Sequence, residues 1–361
     1  MDHGRIMRAL LGLALVVSCG ATGPASPPAA APSVTRTFRM GFSSFPPRPN
    51  IIDALRTIDS ASHHSDAALM VIDVPWAALL ADTAPAFLIR RDQFQLAQLY
   101  TQRGMPIAVT LEVANGINRA AESDALVRLG RSIAEPAVQR AYREYAVAFD
   151  SIIHPRWLAL AMETNLMRSA APPRVYSAIV TMTNAAAQQL RAAASTTPLM
   201  VSVQVETAWG RLGGNNSYVG IQRDRTDFPF VQALGLSSYP YLGGFTAPEQ
   251  IPIDYYSKLV ADAPLPMLVV EGGWTSGSVT GVTSSPALQA RYIRRQTEIA
   301  NAAKLAGVFQ ITFIDIDLAA FTFPAGSIIP LFAQLGMVDI NFRPKPALAV
   351  WDSVRAMPLS P

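Results

Sequence analysis

The chain reads as an α/β protein built as a single (β/α)8, or TIM, barrel, and three observations predict it. Short apolar runs alternate with longer segments of helical spacing from residue 38 to the end. The alternation yields eight candidate strands, the number that closes such a barrel. The runs are also near-continuously apolar, as parallel strands buried on both faces require. A doubly wound sheet shares the first feature, but no glycine fingerprint for a dinucleotide or phosphate follows the first run, where Gly41 stands alone.

Taken in order, the chain of 361 residues opens with Arg5 and Arg8 ahead of an apolar stretch, 9–17, too short to cross a membrane. Residues 1–18 are expected to be a signal peptide. Val16-Val17-Ser18-Cys19-Gly20 resembles a bacterial lipobox, which implies lipidation of Cys19. Residues 19–36, rich in Ala, Pro, Ser and Thr, cannot form a core and are expected to act as a tether. The barrel is expected over 37–361, and the protein is expected at the bacterial cell envelope, lipid-anchored on the periplasmic or outer face.

The expected strands are 38–45, 68–74, 106–112, 157–163, 199–206, 231–238, 267–271 and 308–313. Helical spacing covers 51–60, 91–104, 136–153, 173–194, 254–262, 286–306 and 345–354, with prolines at several starts, where a missing N–H costs nothing. The fifth unit is irregular. Residues 207–227, rich in Gly, Asn and Arg, predict a long loop over the barrel mouth with at most a short helix.

Composition narrows the function. Half of the residues are hydrophobic and 15% charged, so a large core is available. A formal charge of +3, spread along the chain, gives no footprint for nucleic acid. The single cysteine and four histidines exclude a disulfide framework and argue against a cysteine- or histidine-rich metal centre. No metal and no cofactor is expected, and the protein is expected to be a monomer.

In a barrel of this kind the chemistry lies at the C-terminal ends of the strands. Those ends are acidic: Glu112, Glu163, Glu206 and Glu271 close the third, fourth, fifth and seventh, and Asp315 and Asp317 follow the eighth. The sixth supplies Ser237-Ser238-Tyr239-Pro240-Tyr241. Strands four and seven face each other across a small barrel. Two carboxylates across a sugar-sized gap suit glycoside hydrolysis, one donating a proton to the leaving oxygen and the other attacking or activating water, with a separation of about 5–5.5 Å for retention.

Val269-Val270-Glu271-Gly272-Gly273-Trp274-Thr275-Ser276 resembles the nucleophile strand of the retaining (β/α)8 glycoside hydrolases, such as β-1,3-glucanases and endo-β-1,4-galactanases. The segment 235–241 is similar to the sixth strand of galactanase-like members, and 335–347 to their closing turn. The resemblance covers most of the second half of the chain. It implies Glu271 as nucleophile, Glu163 as acid/base and Tyr239 as a hydrogen-bond donor to Glu271. It departs at Met162, where such enzymes carry an asparagine that binds the neighbouring sugar hydroxyl. Either Asn165 or a loop residue substitutes for that contact, or the substrate differs, or the domain binds without turnover.

Glu112 and Glu206 contact substrate or pair with arginines such as Arg119 and Arg211. Trp274 and Trp209, and more weakly Trp76, stack on sugars or pack their loops. Asp315 and Asp317 read as loop caps. The expected function is hydrolysis of an extracellular or envelope poly- or oligosaccharide. The alternative is a non-catalytic carbohydrate-binding lipoprotein on the same barrel, favoured by Met162. A metal-dependent hydrolase would need histidines at strand ends, and no expected strand ends in one.

Overall fold

The computed structural model describes residues 35–323 and 326–360. The expected signal peptide, Cys19 and nearly all of the expected tether lie outside them. Eight parallel strands form one sheet: β1 (Arg39–Phe42), β2 (Ala68–Asp73), β3 (Ile107–Glu112), β4 (Trp157–Ala159), β5 (Leu199–Gln204), β6 (Ala233–Ser238), β7 (Met267–Gly272) and β8 (Gly307–Gln310). From β2 to β8 each strand pairs with the next in sequence, and β8 pairs in turn with β1. A single bridge from Ser43 to Leu69 joins β1 to β2 and brings the ring to near closure. Gly41 belongs to this seam, since a Cβ there would sit 2.2 Å from the Ala67 carbonyl oxygen.

The lumen is a small core of its own. Leu69, Ala108, Trp157, Ala159, Met200, Leu268, Val270 and Phe309 pack there, with two-residue spacing in β4 and β7, as inward faces of pleated strands require. Two larger cores lie between strands and helices, one drawn from residues 68–228 and the other from 38–61 and 203–354. Long helices Pro136–Ile153, Pro173–Ala192 and Pro286–Ala302 each begin with proline in the first turn, as expected from the sequence.

Three elements differ from expectation. The helix expected over 91–104 is two helices, Pro85–Asp92 and Phe94–Gln102, broken at Gln93; Leu88 and Ile89 of the first and Ala97 and Tyr100 of the second are buried in one core. The strand expected over 157–163 is regular only to Ala159, although Leu160 and Ala161 still bond to β5 through Met200 and Ser202. The helix expected over 254–262 is replaced by 3-10 turns at Pro248–Gln250 and Ser257–Val260. There the Tyr255 and Tyr256 hydroxyls are drawn to Glu206 and Ser238 at strand ends, which holds the backbone out of a regular helix. The fifth connection has only a turn at Val205–Ala208 and a short helix at Gln222–Asp227 around its loop.

The folded part includes Arg36, at the end of the expected tether. It is 4% exposed, donates to the carbonyls of Phe38, Met357 and Arg355, and pairs with Asp66. The closing turn is fixed by another buried pair. Lys345 Nζ donates to Asp315 at 2.7 Å and to Ser276 at 2.9 Å, and Asp315 also accepts from the Gly336 N–H. Asp317 pairs with Arg48 and caps a 3-10 turn, as its position predicts. Replacing Asp315 with Ala strands the Lys345 ammonium, and a chemical-denaturation midpoint should report a loss of about 3–5 kcal/mol. Among the described residues no helix is long and apolar enough to cross a membrane.

Candidate active site

Glu163 stands just beyond β4 with φ 47° and ψ 46°, a left-handed conformation that few non-glycine residues adopt. The turn is held by its N–H, which donates to Ser202 Oγ at 2.8 Å. Backbone of this kind persists only where its surroundings impose it, and it clusters at functional sites. Here it brings the carboxyl into the lining of a cavity at the mouth of the barrel.

Both oxygens of that carboxyl are engaged. Oε1 accepts from Ser237 Oγ at 2.6 Å and Oε2 from Arg119 Nε at 2.7 Å. Arg119, from the loop after β3, also donates through Nη1 to Glu112 at 2.6 Å, and Glu112 accepts a second bond from the Ala114 N–H. All three ions of this triad are buried. Burial disfavours the guanidinium charge, but Glu112, Glu163 and Glu271 more than offset it and raise the Arg119 pKa. Burial raises that of Glu112, against the pull of Arg119.

Glu271 lies in β7 and lines the same cavity as Glu163. Tyr239, just after β6, donates its hydroxyl to Glu271 Oε1 at 2.8 Å. Burial first, and then the charge of Glu163, push the Glu271 pKa up to about 8, while Arg119 and the tyrosine bond oppose the rise. The Tyr239 ring sits edge-on to Phe332, with centroids 4.8 Å apart, and burial raises its own pKa. The pair of carboxyls, a guanidinium and a phenol therefore converge on one space of about 530 Å3.

The other expected residues fall outside that space. Glu206 is fully buried and accepts from Ser238 Oγ, the Tyr255 hydroxyl, the Tyr239 N–H and the Gln204 amide. It fixes the end of β6, and so Tyr239, rather than meeting a ligand. It does not pair with Arg211, which donates to the Gly243 carbonyl.

Asn165 ties β4 to β5, accepting from the Gln204 N–H at 2.7 Å and donating to the Gln204 carbonyl at 2.8 Å. Buried in that bridge, it does not replace the asparagine missing at Met162, itself buried and outside the cavity lining. Trp274 is 1% exposed and donates to Ser284 Oγ, and Trp209 stacks on Tyr255 and donates to its carbonyl. Trp76 is buried against Tyr142. All three indoles pack loops or helices, and none lines the cavity.

In the sequence Arg119 reads only as a pairing partner, and Ser237 does not stand out as a hydrogen-bond donor to Glu163. A cation seven residues beyond a strand-end glutamate was the available signal for the first. Nothing local marks the second, because its bond spans 74 residues. Among the described residues no group of three His, Cys, Asp or Glu is arranged to hold a metal ion.

No family model and no curated sequence matches the chain. Solved structures do match in fold. An exo-β-1,4-mannosidase from Opitutaceae bacterium strain TAV5 aligns at 17% identity and TM-score 0.62, over 90% of this chain and 60% of its own. A GH5_18 protein from Bifidobacterium longum subsp. infantis aligns at 15% and 0.59, over 91% and 81%. The GH53 catalytic domain of Ignisphaera aggregans aligns at 14% and 0.56, over 87% and 91%. The chain shares the (β/α)8 barrel fold of these proteins. The chain spans three fifths of the mannosidase, and at these identities the likeness is one of fold.

Proposed function

We propose that the protein is a retaining glycoside hydrolase acting on a carbohydrate, with Glu271 as nucleophile and Glu163 as acid/base. The observation that carries this reading is the convergence of the two carboxyls, from β4 and β7, on one cavity, with the Tyr239 hydroxyl bonded to Glu271. The glycosidase barrels of similar fold support it.

In the first step Glu163 would protonate the departing glycosidic oxygen while Glu271 attacks the anomeric carbon. In the second, Glu163 would take a proton from water as that water displaces Glu271. Tyr239 is placed to steady the charge on Glu271. Its hydrogen bond favours the ionised form, and so acts against the burial that favours the protonated one. Arg119 must loosen from Glu163 before that carboxyl can carry a proton to the substrate. Glu112 keeps the guanidinium held when it does.

That clamp, together with Met162, favours the second reading, a carbohydrate-binding protein without turnover. A screen of aryl glycosides with parallel binding measurements decides: turnover abolished by substitution at either glutamate supports the hydrolase, and affinity without turnover selects the binder.

Attachment to the envelope through lipidated Cys19 belongs to the same proposal. Cys19→Ser should move the protein from the membrane to the soluble fraction of the producing cells and remove the acyl mass from its mature N-terminus. An unchanged fractionation would sink the anchor.

A further inference from the structure

The walls of the cavity do not match its floor. Charged and phenolic groups are confined to Arg119, Glu163, Glu271 and Tyr239, whereas most of the remaining lining is aliphatic or aromatic. Phe45, Val71, Ile117 and Ile328 line it while 46%, 38%, 41% and 42% exposed, so large apolar side chains stand uncovered around one opening. Phe45 also stacks on Phe321, which stacks on Phe323, with centroids 6.1 and 5.7 Å apart. A row of three phenyl rings thus begins at the cavity lining.

Surface apolar residues scattered singly mean little, but a contiguous set around a functional cavity marks what the cavity receives. A polysaccharide presents hydroxyls on both sides of the scissile bond, and these walls offer them few partners. Desolvating unpaired hydroxyls is costly.

We propose that the substrate is an amphiphilic glycoside, with one sugar at the glutamate pair and an apolar aglycone, an alkyl chain or fused rings, along the walls and the phenyl row. This rests on the glycosidase reading for the sugar's place and on the exposed apolar lining for the aglycone. The reaction stays a hydrolysis: water supplies the hydroxyl to the sugar and, through Glu163, the proton to the released alcohol.

The test uses methyl, butyl and octyl glycosides of each common hexose below their micelle concentrations, with N-phenyl-1-naphthylamine as a fluorescent reporter of the apolar walls. For the sugar that is hydrolysed, kcat/KM should rise at least about tenfold from butyl to octyl, given about 0.8 kcal/mol per buried methylene. Ile117→Asp and Ile328→Asp should flatten that rise.

Equal kcat/KM across the chain lengths would overturn the aglycone proposal and leave the hydrolase standing. If nothing is hydrolysed but octyl and not methyl glycosides displace the reporter, the ligand class is supported and the hydrolytic reading falls. Failure of every octyl glycoside to displace the reporter overturns the proposal. So does equal displacement by phosphatidylcholine vesicles free of glycoside, which would assign the apolar mouth to a lipid surface.

Discussion

Glu271→Gln should lower kcat on an activated aryl glycoside by about 10⁴-fold or more, because removal of a nucleophile leaves only the catalysis supplied by binding and electrostatics. Glu163→Gln should lower it by about 10²–10⁴-fold, and unequally across substrates. A dinitrophenolate leaves without a proton, so its release should be least affected, whereas an alkoxide must be protonated and its release should nearly cease. This asymmetry separates the two roles. Equal losses on both substrate types in Glu163→Gln would remove the acid/base assignment while leaving the nucleophile intact.

Folding provides the control. The Glu271 carboxyl is raised from 4.5 to about 8, so the folded state holds its proton more tightly than the unfolded chain does. Stability is therefore lost as pH rises through that window, since the native state binds the extra proton there. An amide has no proton to lose. Glu271→Gln should match the wild type at pH 4 and exceed it at pH 9 by as much as about 5 kcal/mol. An inactive variant that is also more stable cannot owe its inactivity to misfolding.

The second large effect concerns Arg119 and pH. The productive form of the pair carries one proton. Loss of that last proton, near pH 8, should set the alkaline limb of kcat/KM. Arg119→Met removes a cation that lowers the Glu271 pKa, so the limb should move upward by about one unit. The same change strands Glu112, buried and without its partner, at a cost of about 3–5 kcal/mol. Glu112→Gln added to Arg119→Met should recover much of that stability without returning the limb to pH 8. If the limb stays in place in both variants, Arg119 has no electrostatic hold on the pair.

The barrel was legible because its strands are continuous apolar runs, a pattern that sequence displays directly. Glu271 was legible for the same reason, as a charge where such a run stops. Tyr239 came from the resemblance of its segment to known sixth strands, and its bond to Glu271 is present.

What was not legible depends on chain segments distant in sequence. Asn165 is the right residue type two positions from Glu163, yet Gln204 takes up its amide. The indoles of Trp274 and Trp209 follow strand ends as sugar platforms do, yet loop docking buries one and stacks the other on Tyr255. The Arg119 clamp joins the loop after β3 to Glu163 beyond β4, and the apolar mouth is lined from loops after β3 and β8; no local pattern encodes either.

The most direct measurement is the mass of the protein after incubation with a 2-deoxy-2-fluoro glycoside bearing a good leaving group, using the sugar that the wild type hydrolyses. The fluorine slows both steps and the leaving group restores the first, so a glycosyl-enzyme should accumulate. One adduct per chain, located on the peptide containing Glu271 and missing from Glu271→Gln, is the predicted result. An adduct on another residue, or rapid hydrolysis of the parent glycoside with inversion and no adduct, would contradict the assignment of Glu271 as nucleophile.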